Sequence, residues 1–279
     1  MAGFPLFFPA PRIRFSFSFQ WRILISLHLS EPFMNPPFEQ ITLKIRAADP
    51  ALTDQDILSD AEHDRLAGMH EGARPSFVTA RAMLRRELGK YMGLRGSAVP
   101  LRQEAAGRIS IDGFKDNEPP FYSVSHSGAA EAGIAAVGVA NSTPIGIDIQ
   151  QIDHHIDWRR VAERRFPARE WELLKAMPEN EGRMLFFTYW AIKESCVKME
   201  NGTLMPYLRG IEIEYRDGKF ALVSPTPGGL PNITIFFHFF AEFELAVACV
   251  CQREVAVTLD CDIKRPEIRP NSLDNMVGE

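Results

Sequence analysis

Between the turn Asn141-Ser-Thr-Pro144 and a His/Asp-rich connection lies Ile145-Gly-Ile-Asp-Ile-Gln150, which constrains the fold more than any other stretch. Alternate residues of a strand face opposite sides, so Ile145, Ile147 and Ile149 make an apolar stripe backed by Gly146, Asp148 and Gln150. The order of elements on either side of it is the same. Strand, helices, strands run over 40–143, and strand, helices, strands follow over 145–260, with no sequence repeat between the halves. That order predicts an α+β protein of two similar α/β lobes, an N-terminal lobe over 34–143 and a C-terminal lobe over 144–263. A site is expected in the cleft between them.

The bulk numbers set limits on class. In 279 residues, 46% hydrophobic and 24% charged, there is enough apolar material for a sizeable core. A formal net charge of -5 and a pI near 5.9 exclude a protein that coats nucleic acid, although local basic clusters could hold a small anion. Cys196, Cys249, Cys251 and Cys261 lack metal-ligand spacing and read as reduced thiols of a cytoplasmic protein. Cys249 and Cys251 should share one side of a strand. The apolar run from Ile233 to Cys251 is interrupted by His238, Glu242 and Glu244, so it reads as two packed strands and no membrane span.

Both ends differ from the rest. Residues 1–33 hold seven phenylalanines and three arginines against one acid, Glu31, and lack the continuous apolar run of a secretory signal. They fit either a presequence or an extension upstream of a true initiator at Met34, and they stand outside the catalytic argument. Residues 264–279 are polar and proline-bearing, and read as a disordered tail.

Within the first half, Ile41-Thr-Leu-Lys-Ile45 alternates as an opening strand. Ser59-Asp60-Ala-Glu62 is a helix start, its acids suited to the positive end. A helix from Pro75 to Met92 carries Phe77, Ala80, Leu84, Leu88 and Tyr91 on its apolar face. Arg81 and Arg85 fall elsewhere on it, as a solvated face or as a planar fork for phosphate, with Arg74 just before. Phe121 opens a strand leading into a polar Ser125-His126-Ser127 loop. In the second half, helices span about 157–176 and 181–200, with Pro167 at a helix start. A hairpin closes on Arg216-Asp-Gly-Lys219.

The last of those helices contains Trp190-Ala-Ile-Lys193-Glu194-Ser-Cys-Val-Lys198, whose Trp190, Glu194 and Lys198 share one face at i, i+4. Alone, that is core packing plus a surface ion pair. Asp148 is likewise an ordinary solvent-facing acid on a half-buried strand, with Gly146 leaving room for a ligand near the backbone. If Asp148 and Glu194 meet, two carboxylates make half a site for Mg²⁺, a hard cation that takes oxygen ligands and shares them with substrate phosphates. Lys198, His126 and Arg74 would then favour a pyrophosphate-containing molecule.

Taken together, Arg74…Arg85, Ser125-His126-Ser127, Gly146-Ile-Asp148-Ile-Gln150 and Trp190…Lys198 resemble the 4′-phosphopantetheinyl transferases. The likeness is to their larger, pseudo-dimeric, surfactin-synthetase-activating group and covers about residues 40–255. It implies two lobes about a pseudo-twofold axis in a monomer, with coenzyme A and Mg²⁺ between the lobes. It also implies transfer of phosphopantetheine from coenzyme A to a serine of an apo acyl or peptidyl carrier protein, releasing adenosine 3′,5′-bisphosphate. On that resemblance Asp148, Glu194 and Gln150 hold Mg²⁺, with Asp148, Glu194 and Lys198 as the catalytic set and Glu194 the candidate base. Arg74, Ser125, His126 and Arg108 contact coenzyme A. Trp190 packs, Lys193 reaches phosphate or solvent, and the carrier docks near Leu204–Leu208.

Two departures bear on this reading. Gln150 stands where many members carry Glu, keeping an oxygen ligand but losing a charge. Gly107-Arg108-Ile109 replaces the usual Gly-Lys-Pro. The alternative is a non-catalytic module that binds coenzyme A or a carrier protein, against which stands the joint presence of Asp148, Glu194 and Lys198.

Overall fold

The computed structural model describes residues 39–104, 108–115, 118–128, 133–216, 219–229 and 233–263. Residues 1–33, the tail 264–279, Gly107 and the Asp217-Gly218 turn lie outside them. In the first half, β1 (Gln40–Ala47) is followed by α1 (Asp60–Ala67) and α2 (Arg74–Met92). A small ladder, β2 (Leu101–Gln103) with β3 (Ile109–Ile111), then leads to β4 (Phe121–Ser127) and β5 (Ile134–Ala140). The second half runs β6 (Ile145–Gln151), α3 (Trp158–Arg165), α4 (Ala168–Lys175), α5 (Glu179–Glu200) and α6 (Leu204–Gly210). Then come the hairpin β7 (Ile213–Arg216) and β8 (Lys219–Leu222), β9 (Thr234–Phe240), β10 (Leu245–Cys251) and β11 (Ala256–Asp262).

Two sheets result, and the α+β class holds. One has the order β11-β1-β5-β4 and the other β6-β10-β9. In each, the opening strand pairs antiparallel with the last of its half, which pairs antiparallel with the strand before it. A long helix follows the opening strand each time, so β1, α2, β4, β5 and β6, α5, β9, β10 share one connectivity. The lone addition, β11, returns from the second half to pair in parallel with β1.

The layers follow from strand alternation. Ile41, Leu43 and Ile45 of β1 meet Ile145, Ile147 and Ile149 of β6, together with Leu245, Val247, Cys249 and Cys251 of β10, in one core between the sheets. On the outer faces, α2 covers Ala135 and Val137 while α5 covers Ala246, Ala248 and Val250. The order is helix, sheet, sheet, helix, and full burial of a side chain such as Ile147 contributes about 1.5–3 kcal/mol.

Local ends obey the sequence where short-range chemistry decides. Ser59 caps α1 in a reciprocal box with Glu62, and α2 stops at Gly93 in the left-handed region (φ 68°). The expected helix start at Pro167 is present, and it divides 157–176 into two helices at Phe166-Pro167, because a residue before proline is pushed to extended backbone. Elsewhere the structure corrects expectation. Tyr91 is exposed at the end of α2. Ser125-His126-Ser127 stay in β4, paired with β5, and are no loop. Arg85 is fully buried and is neither solvated nor a phosphate fork. It donates from Nε to Glu62 Oε2 at 2.7 Å and from Nη1 to Val99 O at 2.8 Å.

Candidate active site

Asp148 projects from β6 on the side opposite the isoleucine stripe. That side is not solvent, because α5 lies across it and the residue is 1% exposed. Gly146 makes the approach possible. A Cβ there would sit 1.8 Å from Ser195 O and 2.7 Å from the Met199 amide nitrogen, so the space beside this glycine is filled by the α5 backbone and not by a ligand. Ser195 Oγ fastens the same contact from the helix side, donating to Ala248 O at 3.2 Å.

With α5 that close, Lys198 Nζ reaches Asp148 Oδ1 at 2.7 Å. Ser125 Oγ donates to the same oxygen at 2.8 Å, and Gln150 Nε2 donates to Oδ2 at 2.7 Å. One turn before Lys198, Glu194 Oε1 accepts from Trp190 Nε1 at 2.9 Å. Burial, and after it the neighbouring charge of Asp148, raise the Glu194 pKa above its usual 4.5, with Lys198 and the indole N–H opposing. The two carboxylates, distant in sequence, are therefore electrostatic neighbours.

Ser125 is held in turn by its strand. The hydroxyls of Ser123, Ser125 and Ser127 accept from the amides of Ile147, Ile149 and Gln151 at 2.9, 3.3 and 2.9 Å. Side-chain hydroxyls thus take the place of ladder carbonyls between β4 and β6. His126, one residue on, faces the opposite way and reaches solvent. The protein packed about it, then the positive charges of Lys198 and Arg81, hold its pKa below 6.5, against the pull of Asp148.

Cations line a groove beside this centre. Arg108, predicted from sequence, lines it with Lys115, Tyr122, Lys198 and Asn201. A separate cavity of about 440 Å³ is lined by Arg65, Arg81 and Arg102 together with the acids Glu62 and Asp112 and with Gln103. Arg81 is buried there, its Nη2 on Gln103 Oε1 at 2.7 Å, and the cost of desolvating its charge lowers its pKa to about 10. Arg74 opens α2. Its guanidinium donates to Met69 O at 3.1 Å and Ala67 O at 3.4 Å, tying the end of α1 to the start of α2.

Two residues of the Trp190 helix play unexpected parts. Trp190 packs against Phe166 and Phe186 as foreseen, but its indole also orients Glu194. Lys193 reaches neither phosphate nor solvent. It is fully buried, with Nζ 3.0 Å from Glu170 and also bonded to Ile211 O, and Glu170 accepts from the Ile213 amide as well. The sequence reading also missed Ser123, Ser127 and Glu170. The serines at every second position of 123–127 were a legible signal of a common strand face.

Among the described residues no three His, Cys, Asp or Glu side chains gather as a metal site. The centre has two acids, and it defines a class: paired carboxylates from a strand and a helix, with Lys198 on one of them and Arg108 and Lys115 lining the groove beside it, as suits an anionic substrate. Residues 144–250, which contain both acids, match the model of the 4′-phosphopantetheinyl transferase superfamily. A 4′-phosphopantetheinyl transferase, HetI, from Nostoc sp. is 29% identical over 62% of this chain and 73% of its own length. The 4′-phosphopantetheinyl transferase psf-1 of Bacillus pumilus is 35% identical over 56% of this chain and 62% of its own. An L-aminoadipate-semialdehyde dehydrogenase-phosphopantetheinyl transferase of Xenopus laevis is 24% identical over 49% and 47%. The chain thus spans between about half and three quarters of these relatives. Its second half is similar to the 4′-phosphopantetheinyl transferase superfamily.

Proposed function

We propose that this protein moves the 4′-phosphopantetheine group of coenzyme A to a serine of an apo acyl or peptidyl carrier protein, with Mg²⁺, leaving adenosine 3′,5′-bisphosphate. The observation that carries the reading is the convergence of Asp148, Glu194 and Lys198 beside a groove lined by Arg108 and Lys115. The repeated connectivity of the two halves supports the larger, pseudo-dimeric group.

The donor set fits a divalent cation. The charge of Asp148 raises the proton affinity of Glu194, a repulsion that such an ion relieves, and the Gln150 amide can turn to offer a neutral oxygen. Asp148 and Glu194 would hold it, with Gln150 beside them, and when bound it offsets charge on the pyrophosphate. The remaining work belongs to the chain. Lys198, Arg108 and His126 bind and orient the pyrophosphate and its flanking groups. Ser125 keeps Asp148 in place through its hydroxyl. Glu194, beside the metal position on α5, takes the proton of the carrier serine. That hydroxyl oxygen then bonds to the β-phosphorus of coenzyme A as the bond to the bridging oxygen breaks. Lys198 steadies the departing phosphate. Arg81, in its buried cavity, suits the nucleotide end.

Full-length protein incubated with coenzyme A, Mg²⁺ and a panel of apo carriers tests this. One phosphopantetheine of mass added to a carrier is expected; no addition to any carrier leaves the non-catalytic binding module instead.

A further inference from the structure

Asp148 is already occupied. Its Oδ1 takes two donors, Lys198 Nζ and Ser125 Oγ, and its Oδ2 takes Gln150 Nε2. An ionised carboxylate has about four lone-pair positions, and three of them here are filled. Two of the donors would oppose a divalent ion directly. The ammonium would face it as a like charge across one carboxylate, and the Gln150 amide presents hydrogens where a metal needs an oxygen. Ser125 differs, because it is fixed by the Ile149 amide and donates without charge. Lys198 also has somewhere to go. Its side chain is 29% exposed against 2% for Asp148, and it borders the groove lined by Arg108 and Lys115.

We propose that Lys198 is the internal counter-ion of the cation site, and that divalent cation and Lys198 exchange on Asp148. The entering ion displaces the ammonium, Gln150 turns its amide over, and the freed Lys198 swings into the groove beside Arg108. Cation entry thereby creates the third positive charge of the anion site, so the two ligands bind with positive cooperativity. This rests on the transferase reading for the identity of the anion but not for the exchange itself.

The test is binding of Mn²⁺ to the full chain without coenzyme A, by calorimetry. Lys198→Met is expected to bind about 10-fold more tightly than wild type, within the range of ordinary coupling between sites; equal or weaker binding overturns the exchange. A direct reading on the wild type guards against a misfolded variant. In ¹⁵N-lysine-labelled protein, the ammonium signal of Lys198 should be protected from solvent exchange without cation and lose that protection on adding Mg²⁺. Protection that survives saturating Mg²⁺ overturns the proposal. Absence of Mn²⁺ binding by either protein removes both the exchange and the cation assignment. Carrier modification is scored separately, so transfer without exchange retains the function and rejects only this inference.

Discussion

Glu194 lies under opposing controls: burial and Asp148 raise its pKa, while Lys198 and the Trp190 indole lower it. If it is the base, kcat/KM falls as pH drops through its pKa in the working enzyme, because the protonated acid cannot accept the serine proton. Trp190→Phe keeps the ring but removes the N–H bond to the carboxylate. The acidic limb of the pH–kcat/KM profile should therefore move to higher pH; a limb that stays put removes the indole from any role in tuning Glu194. Gln150→Glu should tighten Mg²⁺ binding by adding charge to the donor set, and an unchanged Mg²⁺ dependence of rate places residue 150 outside the coordination shell. At this scale the sequence was half legible. The Trp190–Glu194–Lys198 face was plain from its spacing. The burial of Asp148 was not, since a strand with one apolar face reads the same whether water or a helix covers the other.

At the scale of elements, the approach of α5 to β6 builds the site, and one missing side chain permits it. A Cβ at residue 146 would overlap the Ser195 carbonyl outright. Gly146→Ala should therefore destabilise the fold by about 3 kcal/mol or more, at or beyond the upper end of ordinary overpacking. It should also impair transfer even where the protein stays folded, because Glu194 and Lys198 are carried away from Asp148. Thermal melting with carrier modification on the folded fraction checks both effects; a variant of wild-type stability would mean that the helix does not depend on this contact. The elements that sequence revealed were those set by near neighbours, such as the Ser59–Glu62 capping box and the Arg216–Lys219 hairpin. Those it hid were set by distant partners. Strand β11 is only seven residues long and polar at alternate positions, and it exists because β1 offers an edge some 200 residues away.

At the scale of the molecule, the two sheets share a core and are stitched along β4 and β6 by Ser123, Ser125 and Ser127. Each hydroxyl satisfies an amide that no strand pairs, so its loss leaves a donor unmet at about 1–3 kcal/mol. Combining Ser123→Ala with Ser127→Ala, which spares the serine on Asp148, should speed hydrogen exchange at Ile147 and Gln151 before it affects β9 or β10. Uniform exchange across the sheet would show that the seam is not a separate unit of stability. No helix among the described residues is long and apolar enough to cross a membrane. The repeated order of strands and helices was visible in sequence; that the halves meet sheet to sheet, with serines across the join, required the structure.

The central claim is that Asp148 and Glu194, brought together by the packing of α5 on β6, perform phosphopantetheine transfer. The direct measurement is adenosine 3′,5′-bisphosphate released per carrier modified, for wild type, Asp148→Ala and Glu194→Ala, each first shown to be folded by circular dichroism. One equivalent from the wild type and none from either folded variant is predicted. Transfer near the wild-type rate by either variant would contradict the account.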